Sequence, residues 1–282
     1  MRVLLAPGGL WPEPAGVPLV GSVGGLPAGC VAGCLARGWR SSRPDDVLTL
    51  LPMVDGGPGS AQAICPERIA SREAIQGRGP LGQVREVDLV RLVPGPQRAG
   101  SRRPGEGRTW FLDAARLLAL PADPDEGTQE ALQGSTYGLG QAIGAALSRT
   151  HSSDTLLVGL SRSAVHDGGA GALDALGGAA AAIDLLAGRS LGLVLADDIA
   201  LGGMNGAGAA LADVTSLGPR QAQELDRRAC AAATEAVNAT GAIRKSSSGG
   251  QRTLPVVSAL DGAQMSSASA AADSGGMGRL GT

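Results

Sequence analysis

The chain has 282 residues, enough for one large domain or two ordinary ones, and its 43% hydrophobic content allows a true core. Aromatic residues make up only 2%, so that core must be built from Leu, Val and Ala. A net charge of −2 excludes a general attraction to nucleic acid or to acidic membrane surfaces.

In chain order, Val3 to Ala6 reads as a short strand. Pro7 and Pro12 deny the amino end the apolar core of a signal peptide, and no apolar run reaches membrane-spanning length. The expectation is a cytoplasmic protein. Residues 11–27 are a Gly- and Pro-rich loop. Ala28 to Trp39 is a predicted helix with Cys30, Val31, Cys34 and Leu35 on its apolar face. Val47 to Leu51 is a second strand. A helix rather than a hairpin joins it to the first, so the two should pair in parallel. Cys30, Cys34, Cys65 and Cys230 lack the spacing of a zinc site and read as free, mostly buried thiols.

Alternating apolar residues between Gly77 and Val93 suggest strands, and Pro94 to Gly107 is a basic solvent loop. Thr109 to Leu120 reads as strand then helix, and Pro121 to Gly127 as a break. Ser135 or Thr136 can cap a helix carrying Leu139, Ile143 and Leu147. Thr155 to Leu160 is an apolar run of buried-strand length. A polar, glycine-rich loop follows from Ser161 to Gly171, in the position after a strand's carboxyl end where open α/β sheets bind ligands. Ala179 to Leu186 is a weak helix, Leu191 to Ala196 a strand, and Pro219 to Val237 a helix with Leu225, Ala229 and Ala233 on one face. Residues 241–282 are rich in Ser, Gly and Ala and are expected to be disordered.

The loop after the buried strand holds Ser163, Asp167, Gly168, Gly169 and Gly171. Glycines let backbone N–H groups approach a phosphate, and a carboxylate can hold Mg²⁺ or take a proton from a hydroxyl. Asp-Gly-Gly is also an ordinary tight turn ending in a helix cap. No Walker P-loop is present, because Arg244-Lys245-Ser246 lacks the preceding glycine.

Three segments resemble the bacterial type I family of ATP-dependent glycerate kinases. Thr136, Tyr137, Gly138 and Gly140 match its T-T-Y-G-T-G segment. Ser163, Ala164 and Asp167 through Gly171 match its G-G-S-A-T-N-D-G-G-A-G segment. Pro52 through Ser60, P-M-V-D-G-G-P-G-S, resembles its P-M-A-D-G-G-E-G-T. The resemblance implies a two-domain α/β fold. Its first domain, residues 1–64, is Rossmann- or flavodoxin-like and incomplete, and a second α/β domain, 65–240, is inserted into it. It also implies ATP and Mg²⁺ as cofactors and D-glycerate or a similar hydroxy acid as substrate, with no nucleic acid or membrane partner. Asp55, Asp167 and Asp198 take catalytic positions in that reading, with Asp167 and Asp198 on the metal. Ser60, Tyr137, Ser163, Gly168, Gly169 and Gly171 take substrate and nucleotide positions.

The chain departs from the family's pattern at several places. Gly8 and Gly9 stand where an Asp-Ser-Phe-Lys segment follows the first strand, Ser161 and Arg162 replace two glycines, and His166 replaces Asn. Asp113 takes the place of a glutamate, and the resemblance fades near residue 240. These departures predict weak phosphoryl transfer. The alternatives are a non-catalytic relative acting as a binding or regulatory remnant, or a truncated gene product.

Overall fold

The structure is a computed structural model that describes residues 1–10, 26–94, 107–195 and 199–247. Strands β1 (Arg2–Leu5) and β2 (Val47–Leu50) pair in parallel, Arg2 opposite Val47 and Leu5 opposite Leu50, as their helical connection requires. That connection contains α1 (Ala28–Ser42). The helix packs through a stripe of small residues, Ala28, Ala32 and Ala36, together with Val31. The expected face is therefore rotated. Cys30 and Cys34 are exposed, as is Cys65, and only Cys230 is partly covered, which corrects the reading of buried thiols. Alanines at i, i+4 and i+8 let the helix lie close to the strands, and the bulkier side chains turn outward. At the far end of α1, Trp39 Nε1 donates to Asp46 Oδ2 at 3.0 Å and ties the helix to the start of β2.

The second sheet has five strands in the order β3 (Ile69–Arg78), β4 (Val84–Leu92), β5 (Thr109–Leu112), β6 (Thr155–Leu160) and β7 (Ser190–Leu195). β3 and β4 form an antiparallel hairpin, and β4 pairs antiparallel with β5. β5, β6 and β7 run parallel. Period-two alternation divides the core into two layers. Trp110, Leu112, Leu156, Val158 and Leu160 face α5 (Tyr137–Leu147), which contributes Leu139, Ile143 and Leu147. Phe111 and Leu157 face the other way, against Val54, Ala61 and Ile64. Both faces of β6 are thus covered, so its sequence is an unbroken apolar run.

Two helices were hidden by their composition. α4 (Pro124–Gln133) begins inside the stretch expected to break structure: Asp123 Oδ1 accepts from Asp125 N at 2.8 Å, and Pro124 occupies the first turn, where its missing N–H costs nothing. α8 (Ala207–Val214) is made mostly of Gly and Ala. α3 (Ala115–Leu118) precedes α4, and α6 (Ala170–Ala175) and α7 (Gly178–Leu186) lie between α4 and α8. α9 (Pro219–Ser247) buries Leu225 and Ala229 as expected, with Ala233 half-covered, and runs ten residues past Val237. Most of the tail lies outside the described residues. Among the described residues no helix is long and apolar enough to cross a membrane.

Candidate functional site

Two loops of like sequence, Asp55-Gly-Gly-Pro-Gly-Ser and Asp167-Gly-Gly-Ala-Gly-Ala, reach the carboxyl edge of the five-stranded sheet from different strands. Each begins with an Asx turn. Asp55 Oδ1 accepts from Gly57 N, and Asp167 Oδ1 from Gly169 N, both at 2.9 Å. Each ends in a short helix, α2 (Ser60–Ala63) in the first case and α6 in the second.

The first loop leaves β2 and crosses the ends of the parallel strands. A side-chain carbon at Gly56 would meet Val194 O of β7 at 2.1 Å, and one at Gly159 of β6 would meet Gly56 O at 3.2 Å. Only glycine allows that approach. Ser60 Oγ accepts from Gly56 N at 3.0 Å and donates to Asp55 Oδ1 at 3.2 Å, so the serine folds the loop back on its own aspartate. Asp55 Oδ2 makes no hydrogen bond among the described residues. It points toward Gly8 after β1, where a Cβ would lie 2.6 Å from it. This oxygen therefore faces the carboxyl end of the small sheet, and its loop rests on the carboxyl end of the large one.

The second loop leaves β6. Ser161 Oγ donates to Ala115 O at 3.2 Å, and Ser163 Oγ accepts from Val165 N at 3.1 Å. Both serines are buried, and Ser163 lines a hollow of ≈ 40 Å³ with Leu120, Arg162, Ile199 and Leu211. His166 Nε2 lies 2.7 Å from Asp226 Oδ1 on α9, which also accepts from Gly208 N at 2.9 Å. Asp167 is saturated. Thr136 N and Oγ1 donate to its Oδ2 at 2.9 and 2.8 Å, Gly171 N donates at 3.2 Å, and Gly169 N holds the other oxygen. Thr136 Oγ1 in turn accepts from Ala172 N at 2.9 Å, so one threonine joins α5, the loop and α6. Of the two residues expected to cap α5, Thr136 makes no side-chain bond within its own helix, while Ser135 Oγ accepts from Tyr137 N at 3.1 Å.

The two like sequences thus differ in what they offer. Asp55 has an open oxygen, and Asp167 has none. The N–H groups of Gly169 and Gly171 are spent on Asp167. Gly168 and Gly169 both hold left-handed backbone, at φ 65° and 80°. A Cβ at Gly168 would also lie 2.3 Å from Ala229 O. Gly168→Ala is therefore expected to lower stability by about 2–3 kcal/mol, read from thermal unfolding. A glycine serving ligand approach alone would leave the melting temperature unchanged and weaken only nucleotide binding. Tyr137 is exposed at the start of α5. Asp198 lies outside the described residues.

Two buried carboxylates lie outside the motifs, and one of them, Asp113, bonds to the helix that follows the first loop. Asp113 ends β5, and burial pushes its pKa up to about 6 against a bond from Ala61 N that lowers it. Glu130 on α4 is raised to about 7, also by burial, with Arg85 Nη2 at 3.6 Å opposing the shift. Each keeps one buried oxygen without a hydrogen bond. The sequence carried a signal for Asp113, which stands at a strand's carboxyl end. For Glu130 the signal was only its place one residue from buried Ala131 and three from buried Gly127. Among the described residues no three His, Cys, Asp or Glu side chains converge to hold a metal.

A profile of the Glycerate kinase family matches residues 23–194. A glycerate kinase of Bacillus subtilis strain 168 is 33% identical over 154 residues, which are 52% of this chain and 35% of that protein. A glycerate 2-kinase of Escherichia coli K12 is 29% identical over 152 residues, 54% of this chain and 36% of that protein. The chain matches about a third of the length of these relatives. A crystal structure assigned to a glycerate kinase 2 of Salmonella typhimurium LT2 superposes with a TM-score of 0.54 at 22% identity. That match covers 86% of this chain and 64% of the other, and it bears on the fold alone.

Proposed function

The chain belongs to the glycerate kinase family, and from that premise we propose that it transfers a phosphoryl group from ATP to D-glycerate or a similar small hydroxy acid, at a rate well below that of a complete site. The observation that carries this reading is Asp55. Its carboxylate is fixed on one oxygen by Gly57 N and Ser60 Oγ and open on the other, between the carboxyl edges of two sheets. Ligands of α/β proteins gather at such edges.

The residues take distinct roles in this proposal. Asp55 Oδ2 orients the acceptor hydroxyl and can receive its proton. Ser60 holds Asp55 in place. Asp167 organises its loop through Thr136, so that Ser163 and the Gly168 backbone line the nucleotide side, with Tyr137 exposed nearby. Mg²⁺ binds with few protein oxygens and completes its shell with phosphates and water. Asp198 is the carboxylate that would hold such an ion, since the open Asp55 oxygen serves the hydroxyl and saturated Asp167 has none to offer. The ion supplies charge neutralisation on the phosphates, and phosphoryl transfer depends mostly on that and on positioning. We assign residues 1–64 to the unit that carries Asp55 and 65–240 to the unit that carries Ser163 and Asp167.

The test is ATP-dependent phosphorylation of D-glycerate by the purified chain, beside Asp55→Asn. Turnover that falls about 100-fold or more in the variant supports the assignment. Equal turnover in both overturns it. Binding of Mg-nucleotide without turnover favours the non-catalytic relative, in keeping with the Gly169 and Gly171 amides being spent on Asp167.

A further inference from the structure

Asp113 belongs to neither glycine-rich loop, yet it reaches one of them. Its Oδ2 accepts from Ala61 N at 3.1 Å across 52 positions of sequence. The carbonyl of the same residue accepts from Arg72 Nη2 at 2.9 Å. Ala61 is thus held on both sides of its backbone, one residue after Ser60, the hydroxyl of which grips Asp55 Oδ1 and Gly56 N. Two hydrogen bonds, joined by the Ser60–Ala61 peptide, lead from the end of β5 to the carboxylate that the proposed reaction uses.

The carboxylate is an odd choice for a merely structural acceptor. It is fully buried, and its Oδ1 has no hydrogen bond among the described residues. A group held so incompletely carries a desolvation cost that an amide would avoid. Three other charges face it: Arg72 of β3, Asp88 of β4 and Arg116 of α3. Arg72 is already committed to Ala61 O and, at 3.3 Å, to Asp88 Oδ2.

We propose that Asp113 is a positioning residue: by holding Ala61 N it fixes Ser60 and so aims the Asp55 carboxylate. The proposal rests on the reading of Asp55 given above. Because burial pushes Asp113 up to about 6, its charge changes near neutral pH. The ionised form accepts the Ala61 N–H more strongly than the protonated form. Its burial costs more than that bond returns, and opening the loop gives the charge back to water, so the loop is tightest below that pH and loosens as pH rises through it.

The test is hydrogen exchange of the full chain, followed in peptides covering residues 55–63 from pH 5 to 7.5 and corrected for intrinsic rates. In Asp113→Ala these amides are expected to exchange about 10- to 100-fold faster, while peptides from β5 and β6 stay as in the wild type. Asp113→Asn keeps an acceptor, so its protection is expected to be independent of pH, where the wild type loses protection as pH rises above about 6. Wild type and Asp113→Asn sharing one pH profile would overturn the proposal, as would unchanged protection in Asp113→Ala. If Asp113→Ala does not fold, the wild-type and Asp113→Asn profiles decide alone. Turnover of ATP and D-glycerate, measured alongside, separates the two ideas. Absent turnover in the wild type counts against the catalytic reading, and the exchange profile still decides the clamp.

Discussion

Replacing Asp167 by alanine is expected to lower the stability of the folded chain by about 3 kcal/mol, and replacing it by asparagine by about 2 kcal/mol. In the alanine variant four donors lose their acceptor: Thr136 N, Thr136 Oγ1, Gly169 N and Gly171 N. Thr136 is fully buried, so water cannot replace the lost oxygen there without opening the joint between α5 and α6. The asparagine variant keeps one oxygen and turns an NH₂ group toward donors that need an acceptor. Thermal unfolding should show the loss as a drop of roughly 5–12 °C. A melting temperature within a degree of wild type would show that Asp167 is free to serve a ligand instead. The consequence for enzymology is direct. Asp167→Asn is a poor test of catalysis, because lost turnover would follow from a loosened loop. Asp55→Asn leaves the fold's main joints untouched and tests the chemistry.

Glu130→Gln is expected to leave stability nearly unchanged at pH 4.5 and to raise it at pH 8. The cause is burial. The folded-state pKa of Glu130 is raised from 4.5 to about 7. A carboxyl group raised in the folded state favours folding fully below its unfolded pKa, and that contribution is lost as pH rises through the folded value. The window is therefore about pH 4.5 to 7. Across it the wild type should lose on the order of 3 kcal/mol relative to the glutamine variant. Arg85 reduces the gain, since its Nη2 is 3.6 Å from Glu130 Oε1 and it also donates to Leu117 O at 2.8 Å. The net stabilisation of the variant at pH 8 is expected to be about 1–3 kcal/mol. Urea unfolding of both proteins at pH 4.5 and pH 8 checks it. A difference that does not change with pH would mean that folding leaves the Glu130 pKa unshifted.

These two effects bear on the proposed chemistry from opposite sides. Asp167 is a carboxylate whose charge is fully answered by donors, and it makes a rigid joint. Glu130 and Asp113 are carboxylates whose charge is poorly answered, and each makes the structure respond to pH near neutrality. Among the described residues, Asp55 alone combines a fixed carboxylate with an open oxygen at the strand ends.

Local pattern determined much of this protein. The apolar run Thr155 to Leu160 defined β6 to the residue, because a strand covered on both faces needs no alternation. The helix between two short strands implied their parallel pairing, and the order of the two Asp-Gly-Gly loops pointed to the family. Tertiary structure alone decided what each carboxylate can do. Asp55 and Asp167 stand in nearly the same six-residue context. Thr136, 31 positions before the second, joins Gly171 N in filling the oxygen that stays open in the first. Burial of Asp113 and Glu130, exposure of Cys30 and Cys34, and the clamp on Ala61 likewise depend on neighbours distant in sequence. Periodicity and turn chemistry are properties of adjacent residues, so a sequence displays them. Hydrogen-bond saturation and desolvation are set by whatever the fold packs alongside, and no local pattern encodes them.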